Sequence, residues 1–205
     1  AFPWPPAGGE SVLDAWGRTW SGASLRPRQF FASMPGTASL GPAVLYYLSI
    51  GIPVAGVQLF WTMVRGSDGN AADSTAGALG ALGEWSPLMG FLFSPAYLLI
   101  SLVVAAGVTH LLLKLFGGTH GDYGMTTRVF AYAYSPQILG IIPVAGTFAG
   151  FVWMVVIAIV GVREAHRTTT GRAAAAILVP VAFALAFVAV AELIATTGRL
   201  LDTGL

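Results

Sequence analysis

Three histidines, His110, His120 and His166, stand out as side chains that could do chemistry, with Asp122 and Glu164 near the last two in sequence. Imidazole and carboxylate groups together suit zinc or iron. Neither His-Glu-x-x-His nor His-x-x-Glu-His occurs, so the spacing itself adds nothing to a metal reading. Histidines at a membrane boundary also hydrogen-bond and snorkel with no metal present. The chain has no cysteine, which removes thiolate metal sites, disulfides and cysteine nucleophiles. Between His110 and the next apolar stretch runs Gly117-Gly118-Thr119-His120-Gly121-Asp122-Tyr123-Gly124. It is glycine-dense enough for an anion nest. It lacks the Gly-Lys-Ser/Thr of a phosphate loop, and a permissive turn between helices explains it more simply. A last polar group, Tyr132, Tyr134, Ser135 and Gln137 beside Pro136, lies inside an apolar segment. It could line a solute path, or its hydroxyls and amide could satisfy one another and the carbonyl freed by the proline. No nucleophile–base pair and no carboxylate pair is present, so no catalytic residue, cofactor or bound metal is expected.

The elements that must position these residues are membrane helices. Of 205 residues, 56% are hydrophobic and 9% charged, with a mean hydropathy of +0.75. A soluble domain carries about 25% charged residues, so the composition excludes a soluble enzyme. Ten Lys and Arg against nine Asp and Glu exclude a nucleic-acid binder that neutralises many phosphates.

A spanning helix needs roughly 20 apolar residues. Residues 40–64, 88–116 and 173–195 meet this, each with a proline of the kind tolerated in membrane helices. Residues 129–162 carry no formal charge and would extend about 51 Å as one helix, too long for one crossing. Pro143 and Gly146 mark a turn that divides the stretch into spans at 129–143 and 146–162. Five spans put Arg18, Arg26, Arg28, Lys114, Arg128, Arg163, Arg167 and Arg172 on one side and Arg65 and Arg199 on the other. Four spans give a weaker asymmetry, so the positive-inside rule selects five. The N-terminus is then cytoplasmic. The loop carrying Asp68, Asp73 and Glu84 faces outward, with Trp61 and Trp85 at that boundary. The expected fold is all-α: a five-transmembrane-helix bundle at 39–205 preceded by a cytoplasmic arm with interfacial helices at 1–38.

That arm begins with the proline-rich Ala1–Gly9. Ser11-Val12-Leu13-Asp14 reads as a capping box, opening a short interfacial helix over Ser11–Ser21 with Trp16 and Trp20 on its apolar face. Pro27 opens a second, carrying Phe30 and Phe31. Trp16, Trp20, Phe30 and Phe31 are the expected membrane or partner contacts. Small residues at Gly51-x-x-x-Ala55, Gly146-x-x-x-Gly150 and Ala182-x-x-x-Ala186 allow close helix approach. Glu192 falls near the outer interface, and no span carries a charge at its middle.

The segment from His110 to about Ala176 resembles the YIP family of membrane proteins, named for interaction with Rab-type GTPases. The resemblance rests on His110-Leu111 with Lys114 and Gly117-Gly118, Thr127-Arg128, Tyr132-Ala133-Tyr134-Ser135-Pro136, Ile142-Pro143 with Gly146, Trp153, and Gly161-Val162-Arg163-Glu164-Ala165-His166. Pro27 and Phe30-Phe31 look like the family's approach to its first span. The resemblance implies five spans and a cytoplasmic N-terminus. The longer N-terminal region and Asp-Leu-Tyr-Gly-Pro-type motif of eukaryotic members are missing, so the chain looks like the short bacterial branch and Rab binding is not carried over. Three functions follow as expectations. The first is a non-enzymatic scaffold or accessory subunit of a bacterial inner membrane, in contact with lipid and with a membrane protein partner or a second copy. The second is a small transporter or channel for an uncharged solute. The third is a membrane-embedded metalloenzyme using the three histidines.

Overall fold

The computed structural model describes residues 2–6, 8–36, 38–65 and 86–202. The expected outer-loop turn at Asp68–Asn70, Trp85 and the acidic residues Asp73 and Glu84 lie outside them. Among the described residues every regular element is helical. In chain order they are α1 (Val12–Leu25), α2 (Pro27–Ala32), α3 (Leu40–Arg65), α4 (Pro87–Leu92), α5 (Ser94–Leu115), α6 (Tyr123–Ala133), a 3₁₀ helix (Ser135–Ile141), α7 (Ala145–Ala165) and α8 (Thr170–Asp202).

Among the described residues four helices are long and apolar enough to cross a membrane: Leu40–Val64 of α3, Ser94–Leu115 of α5, Ala145–Ala165 of α7 and Thr170–Ile194 of α8. The span expected at 88–116 divides at Phe93. Ser86 caps α4, whose first residue is Pro87, and a second proline, Pro95, starts α5. Proline at a helix start lacks only an N–H that would have no partner there. The stretch expected as a helix over 129–143 instead begins six residues earlier as α6, and tightens to 3₁₀ geometry where Pro136 removes a backbone donor.

Pro143, Val144 and Ala145 make the reversal between the 3₁₀ helix and α7. The Ala145 amide donates to the Pro143 carbonyl at 2.8 Å, and Val144 takes φ 61 and ψ −74. A positive φ at a β-branched residue is strained. Right after it the backbones nearly touch: a Cβ on Gly146 would lie 2.0 Å from the Leu139 carbonyl oxygen, and one on Gly150 would lie 2.9 Å from that of Pro136. The Gly146-x-x-x-Gly150 spacing therefore seats α7 directly on the 3₁₀ helix. Gly51 does the same for α3 against Leu98 of α5.

The core cluster runs from α1 and α2 through α3, α5, α6 and α7 to the start of α8. Tyr46, Phe31, Ile50, Leu113, Val129, Ile157 and Val162 are its largest fully buried apolar side chains. α8 is the least enclosed span, with Phe183, Phe187, Leu193 and Ile194 exposed.

Ser11 occupies the expected N-cap of α1, but its side chain makes no capping bond, and the helix continues to Leu25. Val12 and Leu13 are exposed, whereas Ala15, Thr19, Ala23 and Ser24 are buried against the bundle. Phe30 and Phe31, expected as outside contacts, are 5% and 1% exposed. Phe31 lies over Gly161 of α7, where a Cβ would meet its ring at 3.0 Å, and Phe30 packs edge-on to Tyr132. Their area is already buried within the chain, so neither is available to a partner.

Candidate functional site

The ends of α5 and α7 bring the histidines together. α5 stops in a Schellman arrangement: Gly117 takes φ +63 and donates to Lys114, and Gly118 donates to Leu113 at 2.8 Å. α7 stops the same way beside it, with Arg167 (φ 49) in the glycine's place and Thr168 donating to Arg163. The two stops pack so closely that a Cβ on Gly118 would meet the Thr168 hydroxyl at 2.8 Å. Arg172 of α8 donates to the Gly117 carbonyl at 3.1 Å. The glycine loop is thus a paired helix stop. Asp122 ends it by capping α6 through the Met125 amide at 2.8 Å.

Between these ends, the Thr126 hydroxyl lies 2.9 Å from His110 Nδ1 and 2.9 Å from His166 Nε2. Thr126 and His166 are fully buried, and His110 nearly so. A hydroxyl has one proton and two acceptor lone pairs, so it donates to at most one of the rings and accepts from at least one. His120 Nδ1–H donates to the His166 carbonyl at 3.0 Å. His166 Nδ1 is buried without a partner. Desolvation above all, then the neighbouring His110, pushes His166 down to about 4, with Asp122 opposing and His120 adding a smaller downward push. It is neutral at physiological pH.

The structure brings His110, His120 and His166 together as a hydrogen-bonded chain. The ring nitrogens of His110 and His166 that face each other are committed to Thr126. Among the described residues no group of three or more His, Cys, Asp or Glu is arranged to hold a metal ion. Thr126, the centre of this chain, was not singled out from sequence; Thr126-Thr127 preceding an apolar run carries no signal that separates it from any helix start.

The second polar constellation surrounds the 3₁₀ helix. The Trp20 indole N–H donates to the Ser135 carbonyl at 3.0 Å, Gln58 to that of Gly140 at 2.7 Å, and Trp61 to that of Ile141 at 3.1 Å. The Ser135 hydroxyl pairs with Tyr46 at 2.7 Å and with the Tyr132 carbonyl at 2.6 Å. Tyr134 packs its ring 4.4 Å from that of Tyr47, and the Gln137 amide reaches Met154 Sδ at 3.4 Å. Tyr132 and Ser135 are buried, while Tyr134 and Gln137 are half-buried. The four residues expected as a solute path are thus held in internal contacts.

Tryptophans make many of these ties. Trp4 donates to Pro42 O at 2.6 Å, Trp16 to Ser49 Oγ at 2.8 Å and Trp153 to Ser24 O at 2.9 Å. With Trp20 and Trp61, all five described tryptophans donate an indole hydrogen bond that joins distant parts of the chain. Trp16 and Trp20 remain half-buried, so each keeps some surface. On the side of the histidines, Glu164 pairs with Arg163 of its own helix and with Arg28 of α2 at 3.4 Å, which ties α2 to the end of α7.

This is a multi-pass membrane protein, all-helical among the described residues. The Yip1 domain model matches residues 22–191, most of the sequence, and the chain belongs to that family. Comparison with characterised proteins and with solved structures gives no significant match.

Proposed function

We propose that the protein is a non-enzymatic scaffold or accessory subunit that crosses the membrane five times, with its N-terminus in the cytoplasm of a bacterial cell. The fifth crossing in this reading is α6 followed by the 3₁₀ helix. Eleven α-helical and seven 3₁₀ residues extend about 30 Å together, the thickness of the hydrocarbon core. The carbonyls that an α-helix would satisfy internally need partners from neighbouring protein at that depth, and Trp20, Gln58 and Trp61 reach those of Ser135, Gly140 and Ile141.

The observation that carries the crossing is the pairing of the two helix stops. α5 and α7 end side by side, joined through Thr126, His120 and Arg172. Two parallel spans ending on one face require the chain between them to return across the bilayer. The same face holds α2 through the Arg28–Glu164 pair.

The scaffold role is supported by how the interior is filled. Tyr132, Tyr134, Ser135 and Gln137 are engaged with Tyr46, Tyr47, Trp20 and Met154, which favours a solid bundle over a solute path. Apolar surface is instead offered outward, along α8 and at Val12 and Leu13 of α1. Isolation from native membranes in polymer discs, followed by cross-linking and mass spectrometry, tests the role. A stoichiometric membrane protein cross-linked to α8 or α1 is expected. A solitary chain that conducts an uncharged solute in liposomes would overturn it.

A further inference from the structure

We propose that the cavity beside Arg128 binds the phosphate of a membrane phospholipid. Arg128, in α6, is 2% exposed. Its terminal nitrogens donate to the Gly36 carbonyl, at 2.6 Å, and to that of Ala38, while Nε is buried without a partner. The ion pairs among the described residues join Arg18 to Glu10, and Arg28 and Arg163 to Glu164. They leave Arg128 with no carboxylate. A guanidinium stays protonated in any protein environment, and a charge taken out of water is ordinarily paired. Two carbonyl dipoles orient this one but do not neutralise it.

Next to it lies a cavity of about 230 Å³, walled by Arg128, Phe2, Trp4, Met34, Pro42 and Tyr132. The Trp4–Pro42 hydrogen bond holds the N-terminal arm in place as one wall, and Phe2 packs on Phe30 and Tyr132 as part of the same wall. A buried cation within apolar walls fits a ligand that is anionic at one point and hydrocarbon beside it. Arg128 sits six residues into α6, about 8 Å from its capped end. With α6 as a crossing, as proposed above, that puts Arg128 near the boundary between lipid phosphates and acyl chains. Guanidinium suits phosphate through its planar fork of donors. This inference requires the protein to lie in a membrane and is independent of the scaffold role.

The test is thermal denaturation of the full chain in neutral detergent micelles, with three additions compared: dioleoyl phosphatidylglycerol, dioleoylglycerol with the same chains but no phosphate, and inorganic phosphate. The expected result is a saturable rise in Tm of about 5 °C with phosphatidylglycerol alone. Arg128→Gln should lose that rise. As a check on folding, Ala38→Phe serves as the second variant: Ala38 also lines the cavity, and the larger side chain should abolish the lipid-dependent rise, read against that variant's own Tm without lipid. An equal rise with dioleoylglycerol would overturn phosphate recognition. An equal rise with inorganic phosphate would overturn the lipid as its source. No rise at all, or a full rise in Ala38→Phe, would overturn the site.

Discussion

Replacing Trp20 by phenylalanine removes one hydrogen-bond donor while leaving most of an aromatic ring in place. The lost N–H is the one that meets the Ser135 carbonyl at 3.0 Å, in the first turn of the 3₁₀ helix. Ser135 is fully buried, so water cannot substitute. The carbonyl keeps its bond within the 3₁₀ helix, so the loss is one of two buried hydrogen bonds and costs about 0.5–1.5 kcal/mol. In a chain of this size that corresponds to a fall in Tm of roughly 1–6 °C. The matched control is Trp16→Phe. Its indole donates to Ser49 Oγ at 2.8 Å in an exposed position, and that hydroxyl also donates to the Tyr46 carbonyl at 2.6 Å. Water can replace the lost donor there, so the cost should stay below about 0.5 kcal/mol. Both variants should be melted in the same detergent and followed by circular dichroism at 222 nm, which does not depend on tryptophan emission. Equal Tm values for Trp20→Phe and Trp16→Phe, or a Trp20→Phe variant indistinguishable from the parent, would refute the idea that indole donors stabilise the 3₁₀ segment.

Gly146→Ala should lower stability by about 1–3 kcal/mol, because the new methyl meets the Leu139 carbonyl oxygen at 2.0 Å and α7 must move away. Gly171→Ala, with nothing within 4 Å, should be neutral or stabilising by up to about 1 kcal/mol in the same melt; equal losses at both sites would remove the close-packing argument. Stability should also fall on acidification. His166 binds its proton at about 4 when folded and near 6.5 when unfolded, so its contribution is complete above 6.5 and is lost as pH drops toward 4, by about 3 kcal/mol in all. His166→Gln keeps an amide for Thr126 but does not titrate; Tm measured from pH 7 to 4 should fall less steeply, and an unchanged slope would assign the acid sensitivity elsewhere.

The long spans are legible because the bilayer imposes a length and a polarity that a run of apolar residues either meets or fails. The reversal near Pro143–Gly146 and the convergence of the three histidines are legible for related reasons: a charge-free stretch too long for one crossing must turn, and its turn brings Glu164 and His166 back beside Asp122. What the pattern of polarity does not carry is direction. In a membrane protein both the lipid and the protein interior are apolar, so periodicity places Phe30 and Phe31 on one face without saying which medium that face meets. They meet α7 and Tyr132. The tryptophans illustrate the same loss, since an indole suited to an interface is equally suited to capping a buried carbonyl. Arg128 was counted as a loop charge because a charge tally weighs sign alone, and two backbone carbonyls contributed by Gly36 and Ala38 leave no trace in composition.

Placement of the connecting segments tests the five-crossing account most directly. The chain contains no cysteine, so single cysteines at Gly8, Thr119, Thr169 and Val144 can be labelled with a membrane-impermeant maleimide without background. In intact spheroplasts and inverted vesicles, the account predicts that residues 8, 119 and 169 react from the cytoplasmic side and residue 144 from the opposite side. Labelling of residue 169 from the side opposite residue 119 would contradict it, and α6 with the 3₁₀ helix would then not be a crossing.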